Sequence, residues 1–294
     1  MSNTKNEATQ AVEDIRLEEL MPFPGNPFSV RESEEFNESI RDYGIISPLV
    51  VRPREGGVYE VISGHRRMAA AHKAGLETVP AFVRVMDDNA AVIALVDSNI
   101  HRENILPSEK AFAYKMKLDA IKRQGERTDL SGGSTSRQAV GKLESADIVG
   151  QGASESGRQV QRYVRLTELI PQILEMVDDS RMAFTPAVEI SYLEPRAQED
   201  LLEAMQLEDR TPSLPQCQRM RQLLSECRLD RDIILEIMAE EKPNQKEQIK
   251  LKTDSIRGFF PKGYSPMQME QVIMKLLADW QRQRERAARN RDAR

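Results

Sequence analysis

Two adjacent arginines at the start of a predicted helix are the residues best suited to chemistry. They close the run Ser63-Gly-His-Arg-Arg67, which follows a strand-like stretch and precedes a run of good helix formers. A glycine at such a turn lets a ligand approach the backbone, and a helix N-terminus presents free N–H groups. Guanidinium groups add forked donors that match phosphate oxygens. The pattern predicts a polyphosphate site, and a surface turn with two solvated arginines is the alternative of equal weight.

A second group of polar side chains, between residues 137 and 166, has the pattern of a helix-turn-helix. The spacing predicts a short helix closed by Ile148 and Val149, a tight turn over 150–152, and a second helix capped by Ser154. The outer face of the second helix combines short polar donors with arginines, as reading base edges and binding phosphates requires. An ordinary helical hairpin is the alternative. The predicted DNA-binding residues are Ser154, Ser156, Gly157, Arg158, Gln159, Gln161, Arg162 and Arg165.

The composition restricts how such a protein could bind DNA. The chain has 294 residues and a net charge of −5, so contact with nucleic acid must come from a local patch. Residues 131–168 carry five basic and four acidic side chains. This small positive charge predicts weak binding by one copy and useful affinity from a homodimer that reads two half-sites of double-stranded DNA. With no membrane-length apolar run, no signal-peptide pattern and only two cysteines, we expect a cytoplasmic protein with no membrane contact.

The elements around both motifs predict an α+β fold class. A small N-terminal sheet packed with helices precedes a chain that turns helical after Met86. We expect a disordered tail over 1–11, a small α/β domain over 12–105, an all-helical helix-turn-helix domain over 106–210, and a helical, self-associating C-terminal region over 211–294. The local predictions are a hairpin of strands over 48–52 and 58–62, a helix from His65 to Gly75, a helix from Pro107 to about Arg123, a polar loop over 125–136, a linker over 211–216, a short strand over 249–251, and a last helix over 266–286 with an apolar stripe that includes Trp280.

Five segments in this order resemble the ParB family of bacterial and plasmid partition proteins. Each segment alone is a weak signal, but five at the family's spacing, from about residue 15 to about residue 193, form a strong one. The segments are Ile15–Leu20 with Asn26-Pro27, Ser39–Arg52, Ser63–Ala70, Ser98–Arg102 with Leu106–Ala111, and the helix-turn-helix.

The resemblance implies a nucleoid-associated, dimeric DNA clamp. It implies an N-terminal domain with a ParB/sulfiredoxin-like fold that binds CTP with Mg²⁺, a palindromic centromere-like DNA site used in plasmid or chromosome segregation, and a partner ATPase of the ParA type. Asn99 would lie beside the nucleotide-bound Mg²⁺. The nucleotide-binding residues carried over from the family are Gly44, Ser47, Pro48, Gly64, His65, Arg66, Arg67, Asn99 and Arg102.

The sequence departs from the family pattern at positions that matter for hydrolysis. Ser98 stands where the family has a glutamate implicated in CTP hydrolysis, and serine cannot act as that base at neutral pH. His65 replaces another glutamate, and Phe28 follows Asn26-Pro27 where arginine is frequent. We therefore expect a protein that binds CTP and hydrolyses it slowly or not at all. Whether the chain is an enzyme, even a weak CTPase, is open at this point.

Three alternatives stay open from the sequence. The first is a helix-turn-helix transcriptional regulator without nucleotide chemistry. The second is a phosphotransferase of the sulfiredoxin or free-serine-kinase fold, for which Glu60 and Glu77 are the candidate bases, although neither is well placed. The third is a metal site formed by the only three histidines, His65, His72 and His101; it is the weakest, because no carboxylate supports it.

Overall fold

The computed structural model describes residues 11–30, 33–129, 138–240, 257–261 and 263–292. By their contacts, residues up to 240 form one compact unit and residues from 241 onward form another. Residues 1–10 of the predicted tail over 1–11, and the predicted strand over 249–251, lie outside the described residues. The four predicted domain ranges stay predictions.

The N-terminal part of the first unit contains a mixed five-stranded sheet with the order β1-β5-β3-β4-β2. Strands β3 and β4 pair antiparallel through the turn at 54–58, where the amide of Arg54 donates to the carbonyl of Val58 at 2.8 Å. This confirms the predicted hairpin. The strands are β1 (Val12–Arg16), β2 (Leu20–Pro22), β3 (Leu49–Pro53), β4 (Tyr59–Ser63) and β5 (Thr78–Val83).

Three helices accompany the sheet: α1 (Glu34–Tyr43), α2 (His65–Ala74) and α3 (Asp88–Asn99). Helix α2 ends where predicted, because Gly75 adopts the left-handed conformation (φ 70°) that ends helices. One apolar cluster joins β1, β3, β4 and β5 to α2, and Leu49, Val51 and Val61 in it are fully buried. A second cluster packs Ile62 of β4 against Leu95 of α3. The mixed sheet and helices confirm the α+β class.

The rest of the first unit is helical and has two apolar cores. Helices α4, α5 and α6 share one core, and the later helices share a larger one that includes Leu166, Leu201, Met220 and Ile237. Burial of so many apolar side chains supplies most of the stability of such a bundle. The helices are α4 (Pro107–Asp129), α5 (Gln138–Gln151), α6 (Gly157–Arg165), α7 (Pro171–Asp178), α8 (Phe184–Ile190), α9 (Pro195–Leu207), α10 (Leu214–Ser225) and α11 (Arg231–Ala239).

Two boundary predictions in this region are wrong. Helix α4 continues to Asp129, so the predicted loop does not begin at Gly125. Helix α10 begins at Leu214 inside the predicted linker, because Ser213 and Gln216 form a reciprocal capping box at its N-terminus. Proline in the first turn of a helix is compatible with that start, which is why two prolines did not mark a linker here.

The second unit contains α12 (Pro266–Asp292), which matches the predicted last helix. Leu276, Leu277 and Trp280 on it are each more than half exposed, whereas Met269 is buried. Among the residues that the structure describes, no helix is both long enough and apolar enough to cross a membrane. Self-association through α12 stays a prediction.

Candidate functional sites

Gly64 shapes the turn between β4 and α2. It has φ +110°, and a Cβ atom added there would lie 2.8 Å from Cγ of Leu49 and 3.2 Å from Nη2 of Arg67. Only glycine fits both the conformation and the space. No side chain of the described residues caps the helix at this glycine. The first N–H groups of α2 are therefore available to an anion, as the sequence predicted.

Arg67 ties a second predicted segment to this turn. Its Nη1 donates to the carbonyl of Pro48 at 2.7 Å and also to the carbonyl of Ser47. These bonds hold the loop over Ser47 and Pro48 against the N-terminus of α2, so these two predicted residues adjoin Arg67. The predicted residue Gly44 lies at the end of α1, before this loop. Burial, and then the charge of Arg102, lowers the pKa of Arg67. Arg67 thus builds the wall of the site as well as adding charge.

Arg66 and Arg102 bring two more cations to the same place. The guanidinium of Arg66 stacks 4.9 Å from the ring centroid of Phe36, and its buried Nε has no hydrogen-bond partner among the described residues. Arg102 lies 5.8 Å from the ring of Phe28. Burial and then the charge of Arg66 lower the pKa of Arg102, and Glu109 opposes this. These cations repel one another, and one of them has a buried donor without a partner. Both features favour the binding of an anion.

His65 enters the site as a neutral ring. It is only 3% exposed, and its Nε2 accepts the amide N–H of Phe23 at 3.3 Å. Burial, and then the charge of Arg102, lowers its pKa to about 4. His65 therefore adds no charge at neutral pH, and its predicted contact with a triphosphate stays a prediction. No group of three or more His, Cys, Asp or Glu side chains that could hold a metal occurs in the described part of the chain.

Asn99 lies at the end of α3 and turns back on its own helix. Its Nδ2 donates to the carbonyl of Leu95 at 2.7 Å and to Oγ of Ser98 at 3.1 Å, and Ser98 Oγ donates to that same carbonyl at 2.9 Å. The amide of Arg102 donates to the carbonyl of Asn99, which keeps the two predicted residues together. Asp97 points away and pairs with Lys117 of α4. The site thus has no carboxylate from this segment.

The helix-turn-helix is built from α4, α5 and α6. Tyr114, Val149 and Val160 are among its buried members. Two sequence predictions are wrong here: α5 runs through Gly150 to Gln151, and Ser156 instead of Ser154 caps α6 by accepting the amide of Gln159. The physical reason is close packing, since a Cβ on Gly150 would lie 2.2 Å from the carbonyl oxygen of Glu155.

The turn between α5 and α6 is held by acidic side chains that the sequence did not single out. Oδ1 of Asp147 accepts the amide of Gly157 at 2.9 Å at the start of α6. Glu155 accepts the hydroxyl of Tyr114 at 3.0 Å and pairs with Lys110. The position of Glu155 inside the turn could have drawn attention to it. Its partners could not be inferred from the sequence, because they lie more than forty residues away.

The three arginines of α6 lie on one stripe, since they are four and three residues apart. Arg158 is exposed, and Ser156 and Gln159 flank it at the N-terminus of the helix. Arg162 donates to Thr185 Oγ1 at 2.9 Å and lies over the ring of Phe184. Arg165 donates to the carbonyl of Ser191, so it is also held by its neighbours. All eight predicted DNA-binding residues lie on this turn and helix, Ser154 in the turn.

Comparison with known proteins identifies the N-terminal region. Residues 1–100 match the model of the ParB N-terminal domain. The chain is 35% identical over 123 residues to a nucleoid occlusion protein of Listeria monocytogenes, covering 40% of this chain and 42% of that protein. It is 46% identical over 82 residues to a probable chromosome-partitioning protein ParB of Pseudomonas putida, covering 28% of each.

The N-terminal region of the chain is therefore similar to the ParB N-terminal domain and to the same region of these relatives. The alignments span about two fifths of the Listeria relative and less of the Pseudomonas one. Among solved structures, a truncated Caulobacter crescentus ParB bound to the centromeric parS site is 20% identical with a TM-score of 0.41, over 77% of this chain and 98% of that one. A second, bound to CTP-γ-S, is 24% identical with a TM-score of 0.30, over 62% and 93%.

The similarity of residues 1–100 to the ParB N-terminal domain gives the site residues a common frame. Arg67 lies between Gly64 and the loop over Ser47 and Pro48. At Ser98, where the family pattern has a glutamate, the structure has a hydroxyl group that donates to the carbonyl of Leu95 in the same helix.

Proposed function

We propose that this protein is a DNA-binding partition protein that closes as a dimeric clamp around DNA in response to CTP. The observation that carries the proposal is the cation cluster at the uncapped start of α2, in which Arg66 keeps a buried, unpartnered Nε. This cluster belongs to the same compact unit as a helix-turn-helix with an arginine stripe. The similarity of residues 1–100 to the ParB N-terminal domain supports partition of a plasmid or chromosome as the process that fits both.

A nucleoside triphosphate fits the cation cluster better than a smaller anion does. A triphosphate carries several negative charges, which the guanidinium groups of Arg66 and Arg102 and the N–H groups of α2 can offset together. Because Gly64 has no side chain, Leu49 and the guanidinium of Arg67 pack directly against the turn at the start of α2. Arg66 and Arg102 would hold the phosphates, while Arg67 keeps the loop over Ser47 and Pro48 closed. Because Asn99 is the only metal-side group the family pattern supplies here, Mg²⁺ would be held chiefly by the phosphates.

Calorimetric titration of the purified chain with CTP, ATP, GTP and UTP in the presence of Mg²⁺ tests the nucleotide site. We expect CTP to bind in preference, and Arg66→Gln to weaken it by about tenfold or more, since a charge-assisted hydrogen bond contributes about 1.5–3 kcal/mol. Arg54→Gln is the matched control, because Arg54 lies in the same domain and pairs with Asp88 at 3.0 Å. Equal effects of the two substitutions would contradict the assignment.

Duplex DNA is the second proposed ligand, read at a palindromic, centromere-like site by two copies of α6. Arg158 is the sharpest test because it is exposed and has no partner among the described residues. Arg158→Ala and Arg162→Ala should weaken DNA binding in an anisotropy titration without changing the CTP isotherm. If both variants keep full DNA affinity, the recognition helix is misassigned. A ParA-type ATPase as partner and association with the nucleoid are part of the same proposal.

We propose further that CTP hydrolysis is slow or absent. Ser98 bonds its own helix and Asp97 pairs with Lys117, so neither side chain offers a base to water at the site. Phosphate release should be near background for the wild type, and Ser98→Glu should raise it while CTP affinity stays within a few fold. Fast release by the wild type that Asn99→Ala abolishes would refute this.

A transcriptional regulator without nucleotide chemistry is the second candidate. The inward turn of Asn99 favours it, because its amide donors are already used within α3. The same titration separates the two, since a regulator would bind DNA and no nucleotide. The phosphotransferase alternative loses one of its two candidate bases, as Glu60 is buried and pairs with Arg52 at 2.5 Å. A clear preference for ATP would support it again.

A further inference from the structure

The ring of Tyr192 joins the recognition helix to α10. The guanidinium of Arg165, from the last turn of α6, lies 4.1 Å from the centroid of this ring. The guanidinium of Arg221, from the middle of α10, lies 3.6 Å from the same centroid. Two arginines from helices far apart in the sequence therefore share one aromatic partner. Tyr192 is itself 39% exposed, so this junction is at the surface.

The shared ring makes the arginine stripe of α6 continuous with a polar face of α10. Along α6 the stripe runs from Arg158 through Arg162 to Arg165, and beyond Tyr192 it reaches Arg221. The exposed residues of α10 on this side are spaced by three and four, as one helix face requires. They are Gln218, Arg221, Gln222 and Ser225, which we call the α10 strip.

We propose that the α10 strip is a second DNA-contacting surface, which binds the phosphate backbone beside the bases that α6 reads. The proposal rests on the proposed DNA-binding function. Guanidinium, amide and hydroxyl groups are the side chains that contact phosphates and sugars in protein–DNA complexes. A protein-binding surface would instead be centred on aromatic and apolar side chains, and the strip has none. Because the strip adjoins α6 through Tyr192, backbone next to the recognised site is the segment within its reach.

Two carboxylates contact this surface: Glu226 accepts from Nε2 of Gln222 at 3.0 Å, and Glu189 pairs with Arg221, which makes the proposal testable in both directions. Glu189 of α8 pairs with Nη1 of Arg221 at 2.9 Å, and its side chain is mostly buried. It therefore reduces the positive potential that Arg221 presents to DNA. Removing the acid should strengthen DNA binding and removing the arginine should weaken it. On α10 the matched control is Arg219, which lies about 160° around the helix from Arg221 and pairs with Glu240 at 2.5 Å.

The experiment uses the full chain and a duplex recovered by in vitro selection, in a minimal form and a form extended by about one helical turn on each side. On the extended duplex Arg221→Gln should weaken binding about fivefold and lower the salt slope by about 0.9, as loss of one phosphate contact does. Glu189→Gln should strengthen binding, Gln218→Glu should weaken it, and Arg219→Gln should match the wild type. On the minimal duplex Arg221→Gln and Gln218→Glu should have no effect.

Two results would overturn the proposal. If Arg221→Gln and Arg219→Gln behave alike on the extended duplex, the strip makes no contact. If Arg221→Gln weakens both duplexes equally, Arg221 acts only by positioning Arg165 through Tyr192. Arg158→Gln keeps this test separate from the proposed function, since it should weaken binding to both duplexes. If substitutions in the α10 strip change DNA affinity while Arg158→Gln does not, the α10 strip contacts DNA and α6 does not read the bases.

Discussion

Acidification should destabilise this protein through His65. The pKa of this buried ring is lowered from 6.5 to about 4, so the folded state resists protonation that the unfolded chain accepts. Below pH 6.5 the unfolded state binds more protons, and stability therefore falls as pH decreases towards 4. At pH 5.0 this difference in proton binding lowers the free energy of unfolding by about 2 kcal/mol, and at pH 7.5 its effect is negligible.

The variant that isolates this contribution is His65→Gln. A glutamine amide oxygen can accept the N–H of Phe23 much as Nε2 of His65 does, but it does not titrate. The free energy of unfolding should therefore fall by about 2 kcal/mol less in His65→Gln than in the wild type between pH 7.5 and 5.0. His72→Gln is the control, since His72 is exposed on the same helix.

The assay is urea unfolding followed by far-ultraviolet circular dichroism, supported by hydrogen exchange of β3 and β4 amides. Tryptophan fluorescence does not serve, because the only tryptophan, Trp280, lies in α12 of the other unit. If the wild type and His65→Gln lose the same free energy on acidification, His65 is not the neutral buried ring that its contacts describe. If His72→Gln matches His65→Gln, the reasoning from burial is refuted.

Two further predictions concern glycines whose missing side chain makes room for a close contact. Gly64→Ala should abolish CTP binding in the calorimetric titration and lower the unfolding free energy by about 1–3 kcal/mol, since a Cβ there meets Leu49 and Arg67 in a strained backbone conformation. Gly75→Ala, equally left-handed but with open space around it, should lose stability and keep CTP binding. Gly150→Ala should weaken DNA binding and leave CTP binding unchanged, because its Cβ displaces the backbone of the recognition turn.

The sequence predicted those parts of the fold that depend on local signals. Short runs of apolar, strand-like residues on either side of a glycine turn identified β3 and β4, and a run of good helix formers ending at Gly75 identified α2. The sequence-based prediction was wrong at a glycine whose role depends on tertiary packing. Gly150 reads as a turn residue, yet it lies in α5 because the carbonyl of Glu155 packs against it.

The sequence predicted which residues form the site, but not which contacts each side chain makes. The family pattern brought the loop from Gly44 and the start of α2 together, and the bonds from Arg67 to Ser47 and Pro48 account for that. It could not reveal that Arg165 would bond Ser191, because that contact joins residues 26 apart. Non-local hydrogen bonds of this kind depend on packing between helices, which residue spacing along one helix does not encode.

The cation cluster is a feature of the sequence that destabilises the folded state. Folding brings Arg66, Arg67 and Arg102 together, and burial with mutual repulsion lowers the pKa of the latter two. Natural sequences avoid such conflicts except where function requires them. An anion that binds only the folded state recovers the lost stability and ties the arginines to the ligand. We therefore propose that the unpartnered Nε of Arg66 is the donor that such an anion would use, and this gives the cluster more weight than any single motif in our assignment of the site.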